Sequence, residues 1–285
     1  MARERTIEIC ALNLAANPHP PSIYLSILGR AARFLVKARG SDYAKITSPH
    51  AVRGRSGIYT GRILIWTEID LKRPWLDIEN EAELSPALKK SISIPENARP
   101  NMRAFGYAFV EKSHRVYFES KNEFGEHLGP NVAKSIFSKV TSQELLGFSS
   151  PEVEVTIVPD VDAVDRILTL PHLRTLFIRV TLPNPDTASP TARKRVHDRL
   201  KKAKARQLEE KYIKSSDAEK LEPTPEIQEM AEVASENGLV RGEGRDNDGK
   251  KLEVSTEEYP KRFFVGMGKS GSFLSRLLAA IPTLG

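Results

Sequence analysis

The stretch "MRAFGYAFVEKSHRVYFESK" (residues 102–121) gives the strongest indication of the fold, because apolar side chains alternate with others along two runs. Alternation with a period of two is typical of β-strands. The runs 102–112 and 115–121, with "KSH" between them, therefore predict a β-hairpin. Aromatic side chains within it indicate a thick apolar core: Phe105, Tyr107, Phe109, Tyr117 and Phe118.

Helices and further strands are predicted on both sides of this hairpin. Period-two patterns and β-branched residues predict strands at 6–14, 43–46, 58–70, 152–160 and 174–183, and a second hairpin at 239–255. Apolar spacings of three and four predict helices at 22–36, with Gly40 just beyond as a stop, and at 130–140, 162–170 and 225–237. The order indicates an α+β fold with open mixed sheets and flanking helices: an N-terminal sheet domain and a smaller C-terminal α+β part.

Proline content and charge divide the chain into four predicted parts. Three prolines between Pro183 and Pro190 predict a linker at 183–192, after an α+β core at 1–182. Residues 193–262 would hold a basic helix, a second helix and a hairpin. The tail at 263–285 contains an apolar helix at 272–281, which we expect to dock on the core or on a partner protein.

Composition limits the class of protein. The chain has 285 residues, of which 28% are charged, and a formal net charge of +6. Its apolar runs are too short to cross a membrane, and the single cysteine, Cys10, can form no internal disulfide. We therefore expect a cytoplasmic protein whose positive charge favours acidic partners such as nucleic acid.

The densest positive charge lies between Arg193 and Arg206. On a helix, Arg195, Arg199, Lys202 and Arg206 would project from one face and could track neighbouring phosphates. The alternative is a solvated helix with one buried edge formed by Val196, Leu200 and Ala203. The candidate nucleic-acid-binding residues in this segment are Arg193, Lys194, Arg195, Arg199, Lys201, Lys202, Lys204 and Arg206.

A second candidate group lies at the tip of the first hairpin. It comprises Lys112, His114 and Arg115, with Arg53 and Arg55 in the basic loop at 50–57. Binding residues are often displayed on loop tips. These side chains could equally be exposed turn residues without a partner.

Catalytic and cofactor patterns are scarce. The six histidines lie far apart in sequence, and none has a recognisable metal-ligand spacing. Gly268-Lys269-Ser270 has the ending of a phosphate-binding loop, but Phe263 stands where that loop requires glycine, so we predict no metal and no cofactor. One nuclease-like pattern remains, in which Asp186 and Glu209 could hold Mg²⁺ and Lys211 could steady a phosphate.

Several stretches together resemble a bacterial family of unknown function, DUF4747. They are "SGIYTGRILIWTEID", "PWLD", "IPENARPNMRAFGYAFVEKSHRVYFES", "VEVTIVPDVDAVDRILTLPHLRTLFIRVTLPNPD" and "ENGLVRGEGRDNDGKKLEVST", and the resemblance spans Thr6 to about Pro260. No catalytic residue follows from it.

The order of elements also resembles the RexA-like phage-exclusion proteins. That resemblance implies a cytoplasmic nucleic-acid-binding protein, a homodimer, that serves defence against phage or mobile DNA together with a membrane effector.

These observations favour a non-enzymatic protein that binds nucleic acid, with DNA the favoured ligand, largely through phosphates and with little sequence preference. Two alternatives stay open. One is a Mg²⁺-dependent nuclease that uses Asp186, Glu209 and Lys211. The other is an interaction module whose apolar tail, Phe273 to Ile281, binds a protein or membrane effector.

Overall fold

The protein is represented by a computed structural model that describes residues 6–18, 20, 22–182, 191–266, 275, 277 and 278. Residues 183–190 of the linker predicted at 183–192, and most of the predicted tail helix, lie outside these residues. No helix in the described ranges combines the length and the apolar character needed to cross a membrane.

Most of the described chain forms two sheets with helices packed on them. The strands are β1 (Thr6–Asn17), β2 (Val36–Arg39), β3 (Asp42–Ile46), β4 (His50–Val52), β5 (Arg55–Thr67), β6 (Leu76–Asp77), β7 (Ala82–Glu83), β8 (Arg103–Val110), β9 (Arg115–Lys121), β10 (Glu152–Ile157), β11 (Thr175–Thr181), β12 (Gln207–Ile213), β13 (Gly238–Arg245), β14 (Lys251–Ser255) and β15 (Phe263–Gly266). The helices are α1 (Ile23–Ala31), α2 (Pro86–Ser91), α3 (Pro130–Val140), α4 (Gln143–Leu146), α5 (Ala163–Leu168), α6 (Thr191–Lys202) and α7 (Pro225–Asn237).

The large sheet has nine strands, in the order β10-β1-β9-β8-β5-β3-β2, with β15 beside β1 and β4 beside β5. The predicted hairpin is confirmed as β8 and β9, and it lies near the middle of this sheet. The α+β class is therefore confirmed. The sequence pattern suggested mixed sheets, whereas the strand pairs of both sheets run antiparallel.

Strand β1 joins distant parts of the chain. One of its edges pairs with β9. Its other edge is shared, because residues 6–9 pair with β15 and residues 12–17 pair with β10. The backbone polar groups of this buried strand thus find partners from the middle and from the C-terminal part of the chain, as burial requires.

The two faces of the large sheet are covered differently. Helix α3 crosses one face, where Tyr107 and Phe137 meet edge to face at 5.8 Å between ring centroids. On the opposite face Ile7, Ile9 and Tyr117 pack with the buried side chains of the tail residues Leu277 and Leu278. These two residues of the predicted tail therefore contact the core, and Arg55 Nη1 donates a hydrogen bond of 2.6 Å to the carbonyl oxygen of Leu278.

The second sheet has the order β12-β11-β13-β14. Helices α5 and α7 pack on one of its faces, over buried Leu176, Ile178 and Val180. Strand β11 comes before residue 183 and its partners come after residue 192, so this sheet draws on both sides of the predicted linker. Two hydrogen bonds from Asn13 Nδ2, to Glu236 O at 3.2 Å and to Asn237 Oδ1 at 3.1 Å, connect β1 of the large sheet to the end of α7.

Three local predictions are wrong. The helix predicted at 22–36 ends at Ala31, and Gly40 stops no helix, because Val36–Arg39 is a strand and Gly40 has φ +55° in the turn that follows it. The basic loop at 50–57 is instead a tight hairpin of β4 and the start of β5. Strand β12 was not predicted.

Two glycine-to-alanine changes test how tightly the second sheet is packed, one in that sheet and one in α1 for comparison. A Cβ on Gly238 would lie 1.8 Å from the backbone oxygen of Arg179, so Gly238→Ala must push two strands apart. We expect this change to lower the free energy of unfolding by about 3 kcal/mol or more, as overpacked sites do. A Cβ on Gly29, within α1, meets nothing within 4 Å.

Gly29→Ala should therefore raise the free energy of unfolding by roughly 0.5–1 kcal/mol, because alanine favours helix more than glycine does. Urea denaturation of both variants checks the pair. Equal stability of Gly238→Ala and wild type would contradict the described packing of β13 on β11.

Candidate functional sites

The basic segment forms α6 and the turn that follows it. Val196 and Leu200 are buried in the core of the second sheet, which fixes one edge of the helix. Several residues of the segment are exposed to solvent: Lys194, Arg195, Arg199 and the four residues 201–204 at the end of the helix and in the turn. The segment is thus a solvated helix with one buried edge, and it displays its cations.

Helix α6 ends at Lys202 in a hydrogen-bonded stop motif. The Ala205 N–H donates to Leu200 O at 2.9 Å, the Lys204 N–H donates to Lys201 O at 3.1 Å, and Lys204 has φ +51°. This is the Schellman arrangement, in which a left-handed residue closes the helix. The prediction that Arg206 continues the helical face of Arg195 and Arg199 is therefore wrong, since Arg206 lies beyond the turn.

The three arginines of the predicted face are paired with carboxylates. Arg195 contacts Glu229 of α7 at 2.6 Å, and Arg199 contacts Glu210 of β12 at 3.0 Å. Arg206 pairs with Glu152 at the start of β10. Any phosphate that approached these arginines would compete with carboxylates that already accept their hydrogen bonds.

The lysines of the same segment differ from the arginines. Lys194, Lys201, Lys202 and Lys204 are exposed, and none forms an ion pair within the described ranges of the chain. Their ammonium groups are available to phosphate without the loss of an existing contact. The backbone of Arg193 lies in the first turn of α6, and its side chain lies outside the described part of the structure.

The tip of the β8–β9 hairpin only partly matches its prediction. Lys112 is exposed and Arg115 is half-buried. The side chain of His114 is only 3% exposed and stacks on Tyr24 at 4.4 Å between ring centroids. The displayed position predicted for His114 is therefore wrong: its backbone adopts φ +53°, which turns the ring inward onto α1.

The nuclease-like residues are only partly described. Glu209 and Lys211 are exposed at alternate positions of β12 and so share one face of that strand. Glu209 Oε1 accepts a hydrogen bond of 2.6 Å from Gln207 Nε2, and Asp186 lies outside the described residues. Among the residues that the structure does describe, no three histidine, cysteine or acidic side chains gather as a metal site.

A cavity of about 810 Å³ opens on the large sheet, on the same face as the tail residues. Glu119 of β9 lies in its wall and is only 4% exposed. Glu119 Oε2 accepts a hydrogen bond from the backbone N–H of Gly106. Burial raises the pKa of Glu119 to about 7, the nearby carboxylate of Glu123 adds to this rise, and the Gly106 hydrogen bond opposes it.

Glu119 was not among the residues predicted from the sequence, although the sequence held a signal. In "RVYFESK" a glutamate occupies the strand position that shares a face with Tyr117, within a hairpin otherwise predicted to be apolar. A carboxylate at such a position is costly to bury, so its presence can mark a functional site.

The family model described as Domain of unknown function (DUF4747) matches residues 5–272 of the chain. No curated protein matches the chain.

The Arg195–Glu229 pair offers a test of the nucleic-acid binding that the sequence predicts. Glu229→Gln would remove the carboxylate that competes with phosphate for Arg195. We expect tighter binding of duplex DNA and a salt-dependence slope that steepens by about 0.9, the value for one added phosphate contact. Fluorescence anisotropy across a salt series measures both quantities.

Glu96→Gln is the matched control for this variant, because it removes one negative charge from an exposed residue far from α6 in sequence. Equal gains in the two variants would show that only net charge matters, and an unchanged Glu229→Gln would contradict competition at Arg195.

The buried Glu119 predicts a pH dependence of stability. Its pKa rises from 4.5 to about 7 on folding, so the folded protein holds this proton more tightly than the unfolded chain does. The wild type should therefore lose about 3 kcal/mol of stability relative to Glu119→Gln as the pH rises from about 4.5 to about 7, with no further change above that. Urea denaturation at pH 4.5, 6 and 8 checks this, and a constant difference between the two proteins would contradict it.

Proposed function

Because the chain belongs to the DUF4747 family, whose function is unknown, we propose a function from its own surface: it binds nucleic acid through phosphate contacts of the α6 segment. The favoured ligand is DNA. The observation that carries this proposal is the set of exposed lysines without carboxylate partners in the described chain: Lys194, Lys201, Lys202 and Lys204.

Lysine suits this role because its ammonium group is a compact point charge on a flexible stem. Each phosphate that it neutralises releases condensed counterions, which supplies affinity independent of base sequence. Contacts to phosphate position a protein on nucleic acid but do not read bases. The proposal therefore includes low sequence preference and steep dependence on salt.

The arginines have a supporting role in this proposal. Their ion pairs with Glu229, Glu210 and Glu152 are solvent-accessible, and such pairs contribute only about 0–1 kcal/mol each. A dense row of phosphates can therefore displace these carboxylates. Of the hairpin-tip residues, Lys112 and Arg115 remain proposed contacts. His114 is not a proposed contact, because its ring is buried.

The wider biological role rests on the resemblance to RexA-like phage-exclusion proteins. Defence against phage or mobile elements, a homodimer, a cytoplasmic location and a membrane or protein effector are parts of the proposal that this resemblance suggests. The Mg²⁺-dependent nuclease stays a second candidate, because Glu209 and Lys211 share an exposed strand face.

Replacing the four lysines tests the proposal. We expect a variant with Lys194, Lys201, Lys202 and Lys204 changed to glutamine to bind duplex DNA more weakly, with a salt-dependence slope reduced by about 2 to 4, since each lost phosphate contact removes about 0.9. Fluorescence anisotropy with labelled duplex DNA, single-stranded DNA and RNA over a salt series gives the slopes.

A second variant removes the same charge elsewhere. Lys72, Lys90, Lys220 and Lys250 are exposed lysines outside the α6 segment, and their change to glutamine should leave the slope nearly unchanged. Equal weakening by both variants would show a response to net charge alone, and absence of binding by the wild type at low salt would overturn the proposal. Shortened strands on a gel after incubation with Mg²⁺ would favour the nuclease instead.

A further inference from the structure

The cavity at Glu119 has a charged residue at each end of one row of side chains. Arg62 of β5 pairs with Gly106 of β8. The β8–β9 ladder ends at the Tyr107–Phe118 pair, and at the next position the Gly106 N–H donates to the side chain of Glu119, at Oε2. Arg62, Gly106 and Glu119 therefore follow one another across three strands and face the same side of the sheet.

The glycine in the middle of this row creates the space. Because Gly106 has no side chain and Ala104 beside it has a small one, the floor of the cavity between Arg62 and Glu119 is low. Strands lie about 4.8 Å apart, so the two end residues are separated by about 10 Å at their Cα atoms. A flat molecule can lie on this floor and reach both ends.

Among the described residues, no cationic side chain pairs with Glu119 at the acidic end. Glu119 Oε2 accepts from the Gly106 N–H, and no side chain in the described ranges donates to Oε1. A carboxylate has about four acceptor positions, so most of those on Glu119 stay unused. A carboxylate buried to this extent is stable as an anion only when donors or a cation satisfy it.

The rest of the lining supports a ligand with two different ends. Arg62 and His50 lie away from Glu119 and can meet an anionic group. At the same end, Thr60 precedes Arg62 by two residues on β5, and Thr47 exchanges hydrogen bonds with the Arg62 backbone, so their hydroxyl groups lie close to Arg62. Phe124, at the edge of the cavity, is 78% exposed. An exposed aromatic ring in this position can stack on a planar group.

We propose that this cavity binds a small molecule with a planar group of two parallel N–H donors at one end and an anionic group at the other. The donor pair binds the carboxylate of Glu119 and the anionic group binds Arg62. The volume, about 810 Å³, falls in the range of small-molecule sites. Two common molecules carry this chemistry: a guanine nucleotide, through the N1–H and N2–H edge of its base, and arginine, through its guanidinium group.

Calorimetric titration of the full chain with GMP, AMP, guanosine and L-arginine at pH 8 tests the proposal. This pH lies above the pKa of Glu119, which burial raises to about 7. AMP is the matched control, because adenine presents an acceptor where guanine presents N1–H. We expect GMP or arginine to bind at least about tenfold more tightly than AMP, the factor that corresponds to one good charge-assisted hydrogen bond.

Two variants locate the binding. Glu119→Gln should lower the affinity for the ligand by at least about tenfold, because the glutamine amide places a donor against the ligand's donors. If GMP is the ligand, Arg62→Met should abolish any difference in affinity between GMP and guanosine, which lacks the phosphate. If arginine is the ligand, the same change should lower the affinity for arginine. Glu96→Gln should bind as the wild type does. Thermal unfolding of each variant confirms that it is folded.

The outcomes are distinct. GMP binding without arginine binding identifies a guanine nucleotide, and the reverse identifies a guanidinium compound. Binding of neither GMP nor arginine overturns the proposal. So does GMP binding that is no tighter than AMP binding when arginine does not bind, or unchanged binding of the ligand by Glu119→Gln. The change of the four α6 lysines to glutamine should leave this binding intact, so the result is independent of the proposed nucleic-acid function.

Discussion

The pairing of β1 along both of its edges is the constraint on which the rest of the structure depends. This strand is twelve residues long and nearly all of it is buried, so each of its backbone polar groups needs a partner. One edge takes β9, and the other takes β15 for its first part and β10 for its last. This arrangement fixes the positions of the central hairpin, of the strand that leads to the second sheet and of the C-terminal strand.

The two candidate sites follow from that arrangement. The register of β9 against β1 and β8 places Glu119 beside Gly106, where the cavity lies. Strand β10 leads into α5 and the second sheet, and Glu152 at its start pairs with Arg206 after α6. The α6 lysines are held by the packing of Val196 and Leu200 in the core of the second sheet, whereas the cavity lies on the large sheet.

The sequence predicted those elements whose periodicity is uninterrupted. The β8–β9 hairpin, α3 and the Pro225–Asn237 helix are all found close to their predicted bounds, because alternation, a proline at the first turn and apolar spacing agree there. The end of α6 was missed because Lys204, not glycine, occupies the left-handed position. The end of α1 was missed because Phe34 and Val36 continue the helical spacing into a short strand.

The candidate sites were predicted less completely, for physical reasons. Charge density along the chain located the α6 cations, but their carboxylate partners come from α7, β12 and β10, which are distant in sequence. The inward ring of His114 depends on a left-handed backbone in a residue that is not glycine. The row from Arg62 to Glu119 exists only once three strands have paired, so no local pattern reveals it.

The edge of β1 that β15 and β10 share also affects biosynthesis. Thr6 pairs with Gly266, so β1 leaves the ribosome long before its last partner does. The nascent chain must keep an apolar strand from aggregating until its late partner is made.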